Sequence, residues 1–287
     1  MATRWLQPNV PFHPKAAPIY YGWVVLGAGT LCMASAVPAS PPGMAPFNQP
    51  MQDALGVELA ALTAAYSLGS VGAAVATFFT GRLVDRWGAR ALCTLAFFML
   101  GISLVFLAGI EPLLRMIGGL GHPLMTESVL VLGFFLVRFF GLGVAMTATR
   151  SMVIRWFAER RSMAVAIQGA TLSICFSSAP VGLYAVVDAL GWQGAWLLLG
   201  IVFAVFFSAI AWVFFRESPE SVGVPIEGAE NKPAGADLFS ERKFPVRRDF
   251  ALGEAMRTLP FWIYLAGLGL NGILGTGVAF NIQGIGE

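Results

Sequence analysis

The chain has 287 residues, of which 57% are apolar and only 12% charged, with a formal net charge of +2 and a mean hydropathy of +0.72. A soluble domain carries roughly 25% charged residues, so this composition excludes a fold covered on all sides by water. Most of the chain has lipid as its solvent.

A transmembrane helix needs about 20 apolar residues. Seven stretches meet that length: 20–43, 59–80, 91–110, 128–149, 163–187, 192–215 and 260–280. Strand-type alternation is absent, which argues against a membrane β-barrel. The expected fold class is therefore all-α, a polytopic bundle of membrane helices.

Residues 1–19 form a polar, Pro-rich tail without the charged start and cleavage site of a secretory signal. The first span opens with Tyr20-Tyr21-Gly22-Trp23, aromatic residues suited to the headgroup level. Its far end, Pro38-Ala-Ser-Pro41-Pro42-Gly43, is expected to loosen the helix, and 44–57 to follow as an outer loop. Between the second and third spans, residues 81–90 leave room only for a tight turn. The outer connection 111–127 carries Gly118-Gly119-Leu-Gly121-His122-Pro123, which argues against a rigid helix throughout. Residues 216–250 are polar and rich in Pro, Gly, Glu and Lys, the composition of a linker. The expected organisation is a tail (1–19), a six-helix bundle (20–215), a linker (216–259) and the first helix of an incomplete second half (260–287). A fragment or truncated product is the expectation that follows.

Basic residues are sorted by side. Of the 18 Lys and Arg, all but Arg115 and Arg138 fall in the tail or in the connections after spans 2, 4 and 6. The positive-inside rule places that side, and the N-terminus, in the cytoplasm. The three cysteines, Cys32, Cys93 and Cys175, lie within spans and suggest no disulfide or metal framework. His13 and His122 lie in connections, so a histidine-based site inside the membrane has nothing to build on.

The connection Gly81-Arg-Leu-Val-Asp85-Arg86-Trp-Gly88-Ala-Arg90 combines two glycines with four charged side chains between two apolar runs. Gly81 permits close approach of a neighbouring helix, and Asp85 is placed to accept hydrogen bonds from a helix N-terminus. This pattern resembles the signature loop between helices 2 and 3 of major facilitator superfamily transporters, with Ala89 where the family often has a further basic residue. The likeness continues at Arg138-Phe-Phe-Gly141-Leu-Gly143, at Trp156-Phe157-Ala-Glu159-Arg160-Arg161 and at Gly191-Trp192-Gln-Gly194. Tyr21-Gly22-Trp23, Arg216-Glu-Ser-Pro219-Glu220 and Leu259-Pro260-Phe261-Trp262 resemble the branch of monocarboxylate porters and oxalate–formate antiporters. The resemblance implies that Gly81, Asp85, Arg86, Gly88 and Arg90 belong to a latch between two six-helix halves.

Arg138 sits near the middle of the fourth span, where an arginine costs roughly 2.5–3.5 kcal/mol to insert. Gly141, Ala145 and Thr149 share its helical face, so it meets close packing or a watery cavity rather than lipid. Two readings stay open: an anion-binding or proton-coupling residue facing a central cavity, or an arginine bonded to carbonyls within a helix interface. The spans hold almost no acid, Asp188 at an outer end excepted, and a lone buried cation suits a carboxylate substrate. Asn271 in the seventh span is a candidate second contact.

These readings converge on a secondary transporter of a small organic solute, an organic anion by branch resemblance, working by alternating access in the cytoplasmic (inner) membrane. Its expected partners are the bilayer and a carboxylate-like solute, with no nucleic acid, no cofactor and a monomeric state. A Gly-rich ATP loop is missing, which speaks against primary transport. The alternatives are a seven-span receptor or sensor and a non-transporting fragment. An integral-membrane enzyme lacks clustered His, Asp or Glu within the spans.

Overall fold

The computed structural model describes residues 11, 14, 18–34, 36–119, 122–227 and 252–280, and every regular element among them is helical. The chain divides into two compact units, Met1–Asn231 and Lys232–Glu287.

In the first unit, α1 (Tyr21–Ala34) has 14 residues, about 21 Å of helix, which falls short of the ~30 Å hydrocarbon core. Turns over 36–40 interrupt it, and α2 (Pro41–Leu55) follows. The first span is thus two helices with a break. Residues 44–57, expected as a loop, are mostly helix because prolines in a first turn start a helix rather than end one: their missing N–H has no partner to lose there. α2 is held inward by Phe47, whose ring stacks on Trp196 at 3.8 Å and 20°.

α3 (Leu59–Thr77), α4 (Thr80–Trp87) and α5 (Ala89–Ala108) come next. The expected tight turn over 81–90 is a correction: most of it is the helix α4. The chain redirects at Phe78–Phe79 and at Gly88, whose φ of 82° only glycine adopts without strain. α5 is the central element of the unit. Cys93, Ala96, Phe97, Leu100, Leu104 and Leu107 run along it at helical spacing and are all fully buried. A Cβ at Gly101 would overlap the Gly200 carbonyl, so α5 and α9 touch backbone to backbone.

α6 (Ile110–Met116) occupies part of the expected outer loop. Then α7 (Pro123–Arg138), a π-helical segment (Phe139–Met146) and α8 (Thr147–Trp156) form one rod, Pro123–Trp156, of 34 residues. α9 (Arg161–Ile201), a second π segment (Val202–Phe207) and α10 (Ser208–Phe214) make a 54-residue stretch, Arg161–Phe214, too long for one crossing. It is broken at Gly191, with φ 70° and ψ 165°, in the gap between the expected fifth and sixth spans. Among the described residues, four continuous stretches are long and apolar enough to cross a bilayer: Leu59–Thr77, Ala89–Ala108, Pro123–Trp156 and Arg161–Phe214.

The start of the polar stretch folds back on this unit. Arg216 is buried, and Glu227 meets Arg160 at 3.2 Å while its backbone N–H donates to the Tyr20 hydroxyl at 3.1 Å. The remainder of the expected linker up to 251, together with His13 and Lys15, lies outside the described residues.

The second unit contains α11 (Leu252–Ala255) and α12 (Leu259–Phe280). The Trp262 indole N–H donates to the Met256 carbonyl at 2.8 Å, tying the short lead-in to the helix that follows.

Candidate functional site

Arg138 is the last residue of α7, directly before the first π segment. Such segments shift the register of a helix and are frequent at functional sites. Arg138 Nη1 donates to the Ala39 carbonyl at 3.0 Å and to the Tyr66 hydroxyl at 2.8 Å. The guanidinium carbon stands 5.0 Å from the centre of the Tyr66 ring. Tyr66, buried on α3, donates from its hydroxyl to the same Ala39 carbonyl at 3.3 Å. Three parts of the chain meet here: the break in the first span, the second span and the middle of the fourth.

These contacts offset part of the insertion cost that the sequence assigns to Arg138, through a carbonyl and an aromatic face instead of an acid. They engage one edge of the guanidinium. Among the described residues, Nε and Nη2 make no hydrogen bond, no carboxylate pairs with Arg138, and the side chain is half-buried. Gly141, Ala145 and Thr149 are buried, in keeping with a close-packed face, and a Cβ at Gly141 would lie 2.8 Å from Ala39 Cβ.

The second candidate region is the end of the unit that carries residues 81–90. Arg90 is buried there; its Nε and Nη2 donate to the Trp212 carbonyl at 2.9 and 2.6 Å. Arg216 Nη1 donates to the Val213 and Phe215 carbonyls at 2.8 and 2.7 Å, and the Tyr21 hydroxyl to the Phe214 carbonyl at 2.8 Å. A helix leaves its last carbonyls without internal partners, and two arginines at the negative end of the dipole answer both needs. Burial lowers the pKa of Arg216 from the usual guanidinium value, with Tyr21 acting in the opposite direction.

Among the described residues, the acid at the start of α5 is Glu217 rather than Asp85. Glu217 Oε1 accepts the Arg90 backbone N–H at the start of α5 (3.1 Å), and its carboxylate fills the space a Cβ at Gly88 would need. Asp85 is 79% exposed and stands 4.0 Å from Arg155, which is also 4.0 Å from Glu217. Gly81 stands in open space: a Cβ there would meet none of the described atoms within 4 Å, so no described helix crosses closely at that point. Arg86 is exposed on the last turn of α4. Of the five loop residues, the structure therefore brings Gly88 and Arg90 into the packed end and leaves Gly81, Asp85 and Arg86 on the surface.

Asn271 lies on α12 in the second unit and is exposed there. Among the described residues, no group of three His, Cys, Asp or Glu is arranged to hold a metal. Tyr66 and Glu217 are the functional candidates that reading the chain alone passes over. Tyr66 carries a signal, since a phenol inside a span needs a partner for its hydroxyl. Glu217 carries less, because its role depends on which helix end it reaches.

Comparison with known proteins agrees with this architecture. The family model of the Major Facilitator Superfamily matches residues 24–285. The chain is similar to human monocarboxylate transporter 11, 27% identical over 214 residues, covering 73% of this chain and 39% of the relative. The mouse monocarboxylate transporter 11 is 32% identical over 216 residues, covering 73% of this chain and 41% of that protein. The chain thus spans about two fifths of the length of these curated relatives. No solved structure matches it. With its apolar helices and this match over most of its length, the chain is a multi-pass membrane protein that belongs to the Major Facilitator Superfamily.

Proposed function

We propose that the protein is a secondary transporter that moves a small organic anion, a mono- or dicarboxylate, by alternating access, with no enzymatic step. Arg138 is the anion contact and Asn271 a second, neutral one. The observation that carries this reading is the half-engaged guanidinium: one edge is tied to Ala39 and Tyr66, and the other keeps donors for a ligand inside a membrane helix. An arginine fork matches a carboxylate bidentately, through hydrogen bonds about twice as strong as neutral ones. The name of the two relatives, monocarboxylate transporter, points to the same chemistry. Asp85 and Arg86, exposed on α4, are the parts of the loop left to act as a latch toward another part of the protein. Gly88 and Arg90 hold the loop in place.

The test is carboxylate binding and uptake by the protein reconstituted in proteoliposomes. Saturable uptake that Arg138→Ala abolishes is the expected result; uptake unchanged by that variant sinks the site. For topology, with the N-terminus in the cytoplasm of the inner membrane, a cysteine at position 53 should be labelled from outside intact cells and one at position 85 should be protected. The reverse pattern overturns the orientation.

A further inference from the structure

We propose that Tyr66 is a positioning residue that sets the plane of the Arg138 guanidinium and thereby makes the site selective for planar carboxylates over tetrahedral anions. The inference rests on the reading of Arg138 as the anion contact and adds the origin of its specificity.

An arginine at the end of four rotatable bonds has little intrinsic preference for one plane. Here two constraints act together. The Tyr66 hydroxyl accepts from Nη1 at 2.8 Å, and the Tyr66 ring lies under the guanidinium carbon at 5.0 Å. The hydroxyl is itself oriented, because its proton goes to the Ala39 carbonyl at 3.3 Å and leaves a lone pair for Nη1. Arg138 Nη1 closes the triangle on the same carbonyl at 3.0 Å. A hydrogen bond alone allows rotation about its axis; a ring face alone allows sliding. Both at once fix the plane and leave the Nε and Nη2 edge as a two-donor fork. Tyr66 is itself held by packing, edge-on against Phe134 at 5.5 Å, and is buried.

A fixed fork rewards a ligand whose two oxygens lie in one plane at the matching spacing. A sulfonate of the same charge and chain length presents its oxygens tetrahedrally and gains less from the fixed plane. Losing the hydroxyl should therefore cost a carboxylate more than its sulfonate isostere, even though Tyr66 touches neither. Loss of packing alone would weaken both equally.

The experiment measures binding of two- to six-carbon mono- and dicarboxylates to the purified protein in nanodiscs, and of the sulfonate isostere of the tightest binder. Tyr66→Phe keeps the ring and removes the hydroxyl. It should weaken the carboxylate about tenfold and the sulfonate less than about twofold, the loss of one orienting charge-assisted bond. Ser70→Ala removes a hydroxyl one turn further along α3, whose bond runs to the Tyr66 backbone carbonyl, and should leave both affinities unchanged. Arg138→Ala should abolish both. A Tyr66→Phe protein with the parent's carboxylate-to-sulfonate ratio overturns the positioning role while leaving Arg138 as the contact. Parent-like binding by Arg138→Ala, or no binding by the parent, overturns the underlying reading instead. If Tyr66→Phe does not yield folded protein, 4-fluorophenylalanine at position 66 keeps the ring and fills the hydroxyl's place with an atom that cannot donate and barely accepts a hydrogen bond. The ratio must fall there too, and an unchanged ratio overturns the proposal.

Discussion

Arg90 and Arg138 are both arginines in membrane-crossing helices, and the protein treats them in opposite ways. Arg90 is 3% exposed, with two guanidinium nitrogens on the Trp212 carbonyl and its own backbone N–H on Glu217. It joins the start of one span to the end of another. Arg138 uses one nitrogen for Ala39 and Tyr66 and remains half-buried. An arginine whose donors are consumed at helix ends is a fastener; one held by a single edge in mid-span is presented. On the function proposed above, the difference separates stability from ligand chemistry within one unit, although both residues belong to motifs that look alike in kind.

That separation can be broken by exchanging the readouts. The largest effect expected is on binding: Arg138→Ala should lower carboxylate affinity by about 100-fold or more, roughly 2.7 kcal/mol, while thermal stability falls by less than ~1 kcal/mol. Isothermal titration together with a thermal unfolding scan decides it, and a variant that loses fold rather than affinity would place Arg138 with Arg90. Arg90→Ala should do the reverse. Removing both donors from the Trp212 carbonyl and emptying a buried site should cost about 2–3 kcal/mol of stability. The protein that remains folded should bind with parent affinity, and weaker binding per folded molecule would contradict the division.

Gly88→Ala sharpens the fastener side. Its φ of 82° is strained for any side chain, and the new methyl would meet the Glu217 carboxylate. A loss of about 1–2 kcal/mol in unfolding free energy is expected, with release of the Glu217 contact at the start of α5. The smallest effect belongs to Asp85. Exposed and 4.0 Å from Arg155, it should contribute no more than about 0.5 kcal/mol, so Asp85→Asn should leave unfolding unchanged. A drop in transport with unchanged stability then assigns Asp85 to contacts outside this unit. Unchanged transport would reduce it to a marker of topology.

Much of the fold was legible because membrane helices are written locally. Apolar runs of span length locate α3, α5 and the long rods, and Gly191 separates two spans that are otherwise continuous helix. The first span was harder. Pro38, Pro41 and Pro42 mark an interruption, but the same residues fit a fraying end or a new start. What decides is the burial of Phe47 against Trp196, a residue from the far side of the sequence. The loop 81–90 was legible as a motif and misread as a shape, since its helical residues need only one glycine, Gly88, to turn.

Read alone, the chain identifies lipid as the solvent, the all-α class, the approximate place of the long apolar helices and the residue in the membrane that needs an explanation, Arg138. These depend on composition and on spacing along one helix. Who answers each charge is set by the packing of distant helices: Ala39 and Tyr66 for Arg138, 99 and 72 residues away, and Trp212 for Arg90, 122 residues away. That packing also gives the α5 N-terminus to Glu217, 127 residues from its partner, instead of the nearby Asp85. A hydrogen bond is made by whichever helix end or break arrives within about 3 Å, and that arrival is set by packing between helices, which no periodicity within a single helix records.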